Sequence, residues 1–285
     1  MRTIKTVHQA QNAPIADLTT YRALPTNSLQ HLDPFLFLNH HGPQVYPANN
    51  RGLPFGPHPH RGFETVTFIL EGDIMHQDSG GHRSVIGPGG IQWMTAGRGL
   101  IHSEISSDEF KQAGGPLEIL QLWINLPARL KMTEPRYIGL QEPQIPAVSL
   151  DEGRVTVHAV SGEWAGKAGA VQPLTDMALA TVNFRQNGRL HLPIAAARTI
   201  FCYVIRGRVR VNGQQAEARQ LLEFNPDGNE LQAQALTDDT VLLLGHAAPL
   251  REPIVAAGPF VMNSEAEIRQ AYQDYQAGLF GTWTE

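Results

Sequence analysis

The stretch HPHRGFETVTFILEGDIMHQDSGGHRSVIGPGGIQWMTAGRGLIHSE, residues 58–104, decides how this chain is read. Residues 63–70, FETVTFIL, are β-branched and aromatic and are closed by Glu71-Gly72, the composition and punctuation of a strand that ends in a tight turn. Residues 82–94 repeat the style after a second Gly-rich turn. At the two ends of the stretch stand two short pairs, His58-Pro-His60 and His102-Ser-Glu104. On a strand, residues i and i+2 share a face and lie about 6.5–7 Å apart, so each pair can aim two donor atoms at one ion held at roughly 2.1 Å. Two such strands supply four ligands.

Working outward, residues 117–126 continue the strand pattern, and a second series follows: VTVHAV at 155–160, MALATVNF at 177–184, TIFCYVI at 199–205, RVRVNG at 208–213 and TVLLLG at 240–245. FILEGDIMHQD and YVIRGRVRVNG share one plan, an apolar strand, a charged residue with Gly, then another strand, as diverged copies of one barrel would. Gly (27) and Pro (20) make up about a sixth of the chain, against a typical ~12%, which favours many short strands and turns. The segment EPRYIGLQEPQIPAV, residues 134–148, carries three prolines and no sustained period and reads as an extended connector. A length of 285 residues is enough for two domains of about 150 residues each. The expected division is therefore a domain over 1–135 and a second over 136–285. Near the end, Ser264 with Glu267 forms a capping box, Ile268, Ala271, Tyr272 and Tyr275 form one apolar stripe, and Gly278 can close the helix.

A net charge of -5 with no basic run offers little attraction to a phosphate backbone, so direct nucleic-acid binding is not expected. The first residues lack the apolar core of a signal peptide, and no run approaches 18 apolar residues, so neither export nor a membrane span is expected. The lone Cys202 sits in an apolar run, as a buried inert thiol would. A cytoplasmic monomer is the expectation.

The two pairs resemble the two motifs of cupins, in which Gly, five residues, His-x-His, three or four residues and Glu are followed by a further His. Gly52, His58, His60, Glu64 and His102 occupy those positions. The interval from Glu64 to Gly72 is one residue longer than usual, and the Pro before Gly99 is absent. The longer strings HPHRGFETVTFILEGDIMHQDSGGH, IGPGGIQWMTAGRGLIHSE and LREPIVAAGPFVMNSEAEI closely resemble the pirin family, most strongly over 54–104 and 249–281. That resemblance implies an all-β protein of two cupin barrels (double-stranded β-helix, jelly roll) with a short C-terminal helix. It also implies a metal on His58, His60, His102 and Glu104 in the N-terminal barrel only. Glu64 has the strand parity of His58 and His60, so the residues by themselves leave it open as the carboxylate; the resemblance points to Glu104.

Three imidazoles and a carboxylate with open positions suit one divalent metal, Fe(II) first, with Mn, Ni, Cu or Zn accepting the same donors. The resemblance implies a quercetin 2,3-dioxygenase-like enzyme that opens flavonols with dioxygen, Glu104 acting as general base. The alternative it implies is a redox-sensing regulatory protein that binds protein partners. Among other candidates, Trp93 and Met94 stand where they could line the pocket. His40 and His41, in NHHGP, read as a solvated turn. His76 and His82 read as surface or hydrogen-bonded residues, and His191 and His246 stand alone, without a second pair.

Overall fold

The strand-rich pattern folds into two units, each a seven-stranded antiparallel sheet with a four-stranded one. The structure is a computed structural model and describes residues 1–284. Among the described residues, the first unit comprises 12–21, 35–142 and 250–284; the second comprises 1–11, 22–34 and 143–249.

In the first unit the large sheet runs Arg136–Leu140, Ile91–Thr95, Phe63–Glu71, Gly115–Asn125, Phe35–Tyr46, Thr20–Leu24, Gln11–Asn12. The small sheet runs Phe55–His60, Leu100–Ile105, Ile74–Asp78, Arg83–Ile86. The second unit repeats the plan. Its large sheet is Ile4–Gln9, Gln220–Phe224, Thr199–Arg206, Thr240–Ala247, Met177–Phe184, Val155–Ser161, Ala147–Leu150, and its small one is Arg189–Pro193, Glu230–Ala235, Arg208–Val211, Gln214–Glu217. These are two jelly rolls, as the repeated strand–turn–strand plan anticipates.

The division departs from the expected 1–135 and 136–285 at both ends. Ile4–Gln9 pairs with Gln220–Phe224 and so forms an edge of the second unit's sheet. The C-terminal segment belongs to the first unit, where Phe260, Met262, Ile268, Ala271 and Phe280 form an apolar cluster with Ile101 against it. Full burial of each Phe, Met or Ile side chain in it contributes roughly 1.5–3 kcal/mol, which is why the amphipathic tail seats there. The connector also differs from expectation: it contains the strands Arg136–Leu140 and Ala147–Leu150, each at the edge of its sheet. Pro135, Pro143 and Pro146 flank these strands, and edges are where proline-bounded strands are tolerated.

The C-terminal helix spans Glu265–Gln276 with Ser264 as its N-cap; Ile268 and Ala271 are buried, while Tyr272 and Tyr275 stay partly exposed. Among the described residues, no helix is long and apolar enough to cross a membrane. Cys202 is buried, and burial pushes its thiol up to about 12.

Candidate metal centre

The two quoted pairs lie on adjacent strands of the small sheet. Leu100–Ile105 runs antiparallel to Phe55–His60 with His102 opposite His58 and Leu100 opposite His60. The register therefore brings His58, His60 and His102 together, and their donor atoms all lie within 4.8 Å of one another. Two metal–nitrogen bonds of about 2.1 Å nearly bridge that span.

Backbone carbonyls fix two of the three rings. His58 Nδ1 lies 2.7 Å from the Gly56 carbonyl and His60 Nδ1 lies 3.2 Å from the Pro259 carbonyl. A carbonyl only accepts, so each ring carries a proton on Nδ1, which leaves Nε2 as the nitrogen that offers a lone pair in the neutral form. His102 is fully buried, and neither of its ring nitrogens has a hydrogen-bond partner. Such orphaned atoms are costly without an ion or other partner. Burial, with His58 adding to it, lowers His60 to about 3, and burial likewise holds His102 well below its ordinary value. His60 and His102 are thus neutral at physiological pH, the form that ligates. The donor set fits a divalent metal.

Glu104 lies beside this triad, with Oε2 4.0 Å from His102 Nε2. Its carboxylate sits in a polar cradle: Thr67 Oγ1 donates to Oε1 at 2.9 Å, Gln92 Nε2 donates to the same oxygen, and Gln121 Nε2 donates to Oε2 at 2.5 Å. Thr67 faces Gln92 on one neighbouring strand and Gln121 on the other, so a single cross-strand row builds the cradle. The amides are themselves oriented, since Trp123 Nε1 donates to Gln121 Oε1 and the Tyr137 hydroxyl donates to Gln92 Oε1, each at 3.4 Å.

Glu64 lies elsewhere. It points from the opposite face of its strand to Thr67, where its Oε1 accepts from Thr95 Oγ1 at 2.6 Å. Burial raises its pKa. Strand parity misleads here because His60 and Glu64 are on different strands: the chain leaves the small sheet at Gly62, with φ of +87°. By the same alternation Met94 shares the Gln92 face, and Trp93 turns to the Glu64 side.

Two other histidines depart from expectation. His40 and His41 are buried within the Phe35–Tyr46 strand, His40 Nε2 at 2.8 Å from Glu118 and His41 Nδ1 at 2.8 Å from Thr20. The Gly42-Pro43 that suggests a turn is instead a bulge in a continuous strand, where the register against Leu117–Ile119 shifts. His76 is buried, stacks on Tyr137 at 3.9 Å and bonds Asp78 at 2.9 Å; the half-exposed His82 bonds the same carboxylate.

Gln92, Gln121, Thr67 and Pro259 were not singled out by the motif. The signal for the two glutamines was present: each interrupts an apolar strand, IQWMT and EILQLWIN, and a buried amide must find partners.

In the second unit, the strands that correspond to the ligand strands by sheet order are Arg189–Pro193 and Glu230–Ala235. They bury Leu190, Leu192, Leu231 and Ala233, while the His191 side chain is largely exposed.

Comparison with known proteins gives the following. The Pirin family model matches residues 17–124, and the model of the Pirin C-terminal cupin domain matches 179–281. A Pseudomonas aeruginosa protein provisionally named quercetin 2,3-dioxygenase is 37% identical over 267 residues, 94% of this chain and 92% of its own. The crystal structure of a quercetin 2,3-dioxygenase from Acinetobacter baumannii superposes with a TM-score of 0.92 at 34% identity, covering 99% of both chains. The bacterial pirin YhhW of Escherichia coli, solved in complex with nickel(II), superposes with a TM-score of 0.68 at 25% identity, over 86% of this chain and 99% of its own.

Proposed function

The chain belongs to the pirin family, and from that premise we propose that it is a metal-dependent oxygenase of the quercetin 2,3-dioxygenase type, opening flavonols with dioxygen. The observation that carries this reading is the convergence of three imidazoles, one of them buried with both nitrogens unpartnered. The names of the relatives and the nickel in one structural neighbour point the same way.

In this reading His58, His60 and His102 hold the ion and Glu104 joins them through Oε2. Bound there, a divalent metal, Fe(II) first, supplies a Lewis acid that lowers the pKa of a substrate hydroxyl and a redox-capable centre for dioxygen. On shifting off the ion, Glu104 would take the proton of the flavonol 3-hydroxyl on the Oε2 lone pair so released, the other lone pair accepting from Gln121 Nε2. The Thr67–Gln92–Gln121 row holds that carboxylate in place. Beside His60, Trp123 stacks on Phe37 at 4.6 Å and packs on Phe63 at 4.5 Å, an aromatic wall suited to a flat aromatic substrate.

The test is metal analysis coupled to oxygen uptake. Protein stripped of metal and reloaded with each candidate ion should consume dioxygen with quercetin for at least one of them. One metal bound per chain with no uptake on any flavonol would overturn the oxygenase reading in favour of a regulatory protein.

A further inference from the structure

The C-terminal strap, residues 255–281, reaches the candidate metal centre from a part of the chain that the ligand motifs do not include. We propose that Pro259, Arg61 and Asp274 are positioning residues of that centre, so that docking of the strap and binding of the metal reinforce each other; this rests on the metal-centre reading above.

The strap runs beside the residues that follow His60. Phe260 forms a parallel bridge with Arg61, and the Val261 amide donates to the Arg61 carbonyl at 3.0 Å. One residue earlier, the Pro259 carbonyl is the acceptor for His60 Nδ1. The buried Lys131 ammonium ties the two segments together, donating to the carbonyls of Gly62 at 2.8 Å and Val261 at 2.9 Å. Gly62 leaves no room between them, since a Cβ there would lie 2.0 Å from the Val261 oxygen.

Arg61 is the clasp. Its guanidinium is buried, donates to the Arg98 carbonyl at 2.6 Å and to Asp274 Oδ2 at 2.7 Å, and lies 4.6 Å over the Phe280 ring. The second ligand strand is engaged as well. Ile101, the neighbour of His102, packs on the strap's apolar cluster, and Ser79 joins the Ile101 amide at 3.1 Å to the Phe280 carbonyl at 2.6 Å.

A neutral imidazole ligates through whichever nitrogen lacks the proton. The Pro259 carbonyl keeps the proton on Nδ1 and so leaves Nε2 of His60 for the metal. With the strap undocked, His60 loses that partner and can carry its proton on Nε2, where it cannot ligate. Removing such an outer partner typically lowers metal affinity by about 10–100-fold. Coupling is reciprocal, so the metal must stabilise the docked strap by the same factor.

The experiment uses the full chain as wild type, Asp274→Ala, Asp274→Glu and Phe280→Leu, with Ni²⁺ affinity measured by competition against a chromogenic chelator. Asp274→Ala and Phe280→Leu should bind Ni²⁺ about tenfold more weakly, with Asp274→Glu restored towards wild type. On wild type alone, amide hydrogen exchange over 255–281 should slow when Ni²⁺ is added, which needs no variant to fold. Exchange in the strap unchanged by bound Ni²⁺, or affinities within twofold of wild type in both weakened variants, would overturn the coupling while leaving the metal centre standing. A wild-type chain that binds no Ni²⁺, Fe²⁺ or Mn²⁺ would overturn the metal-centre reading and the coupling with it.

Discussion

His102 shows how a single residue can be unfavourable for the fold and necessary for the site. Its two nitrogens are buried without partners, a condition that costs about 1–3 kcal/mol in a protein without the ion. His102→Leu is therefore expected to leave the metal-free protein as stable as wild type or more so, while abolishing stoichiometric metal binding; thermal denaturation and metal analysis of the same samples check both halves. The two carboxylates differ in the same concrete way. Glu104 is held by Thr67, Gln92 and Gln121 within 4.0 Å of His102 Nε2, whereas Glu64 faces away and is paired with Thr95. Glu104→Gln should reduce flavonol turnover about 10²-fold or more, the usual loss for a general base, while Glu64→Gln leaves it near wild type. The reverse ranking in steady-state kinetics would transfer the role to Glu64.

Among the elements, the Thr240–Ala247 strand carries a titration that is independent of the ligand set. His246 lies on it, with Nδ1 accepting from Arg198 Nε at 2.8 Å and its ring packed on Trp164 at 5.6 Å between centroids. Burial first, and the Arg198 charge second, lower its pKa from 6.5 to about 4. Between those values the unfolded chain binds a proton that the folded chain refuses, so this group's contribution is complete above pH 6.5 and is lost as pH falls towards 4. Denaturant unfolding of metal-free protein across that window should show stability rising with pH, and His246→Asn should flatten the rise by up to about one proton. An identical slope in the variant would mean that His246 is protonated in the fold. On the ligand strands no such isolated group exists, because three histidines there share one environment.

At the scale of the whole molecule, one sheet plan is used twice with different interiors. Where the first unit places His58, His60, His102 and Glu104 on its two adjacent strands, the second buries Leu190, Leu192, Leu231 and Ala233. Four apolar side chains offer no donor, so native mass spectrometry of the intact chain should find one metal ion, and none in the His58→Ala, His60→Ala, His102→Ala triple variant. A second ion lost on substituting His191 or His246 would contradict this. The terminal segments also act at this scale: Ile4–Gln9 completes the second unit's sheet, and residues 260–280 form an apolar cluster within the first unit.

The sequence by itself determined the strands and the three histidines, because β-branched runs closed by Gly and an i, i+2 spacing on a strand are local properties. FETVTFIL, MALATVNF and TIFCYVI became strands where expected, and the Ser264 cap opened the helix. Tertiary structure alone decided the rest. Whether Glu64 or Glu104 meets the histidines depends on Gly62 carrying the chain from one sheet to the other, which strand parity cannot register. The cradle of Thr67, Gln92 and Gln121, the bulge that buries His40 and His41, and the carbonyl of Pro259 beside His60 all arise from pairing between distant segments. Pairing of that kind is set by sheet order and register, and these are properties of the folded whole.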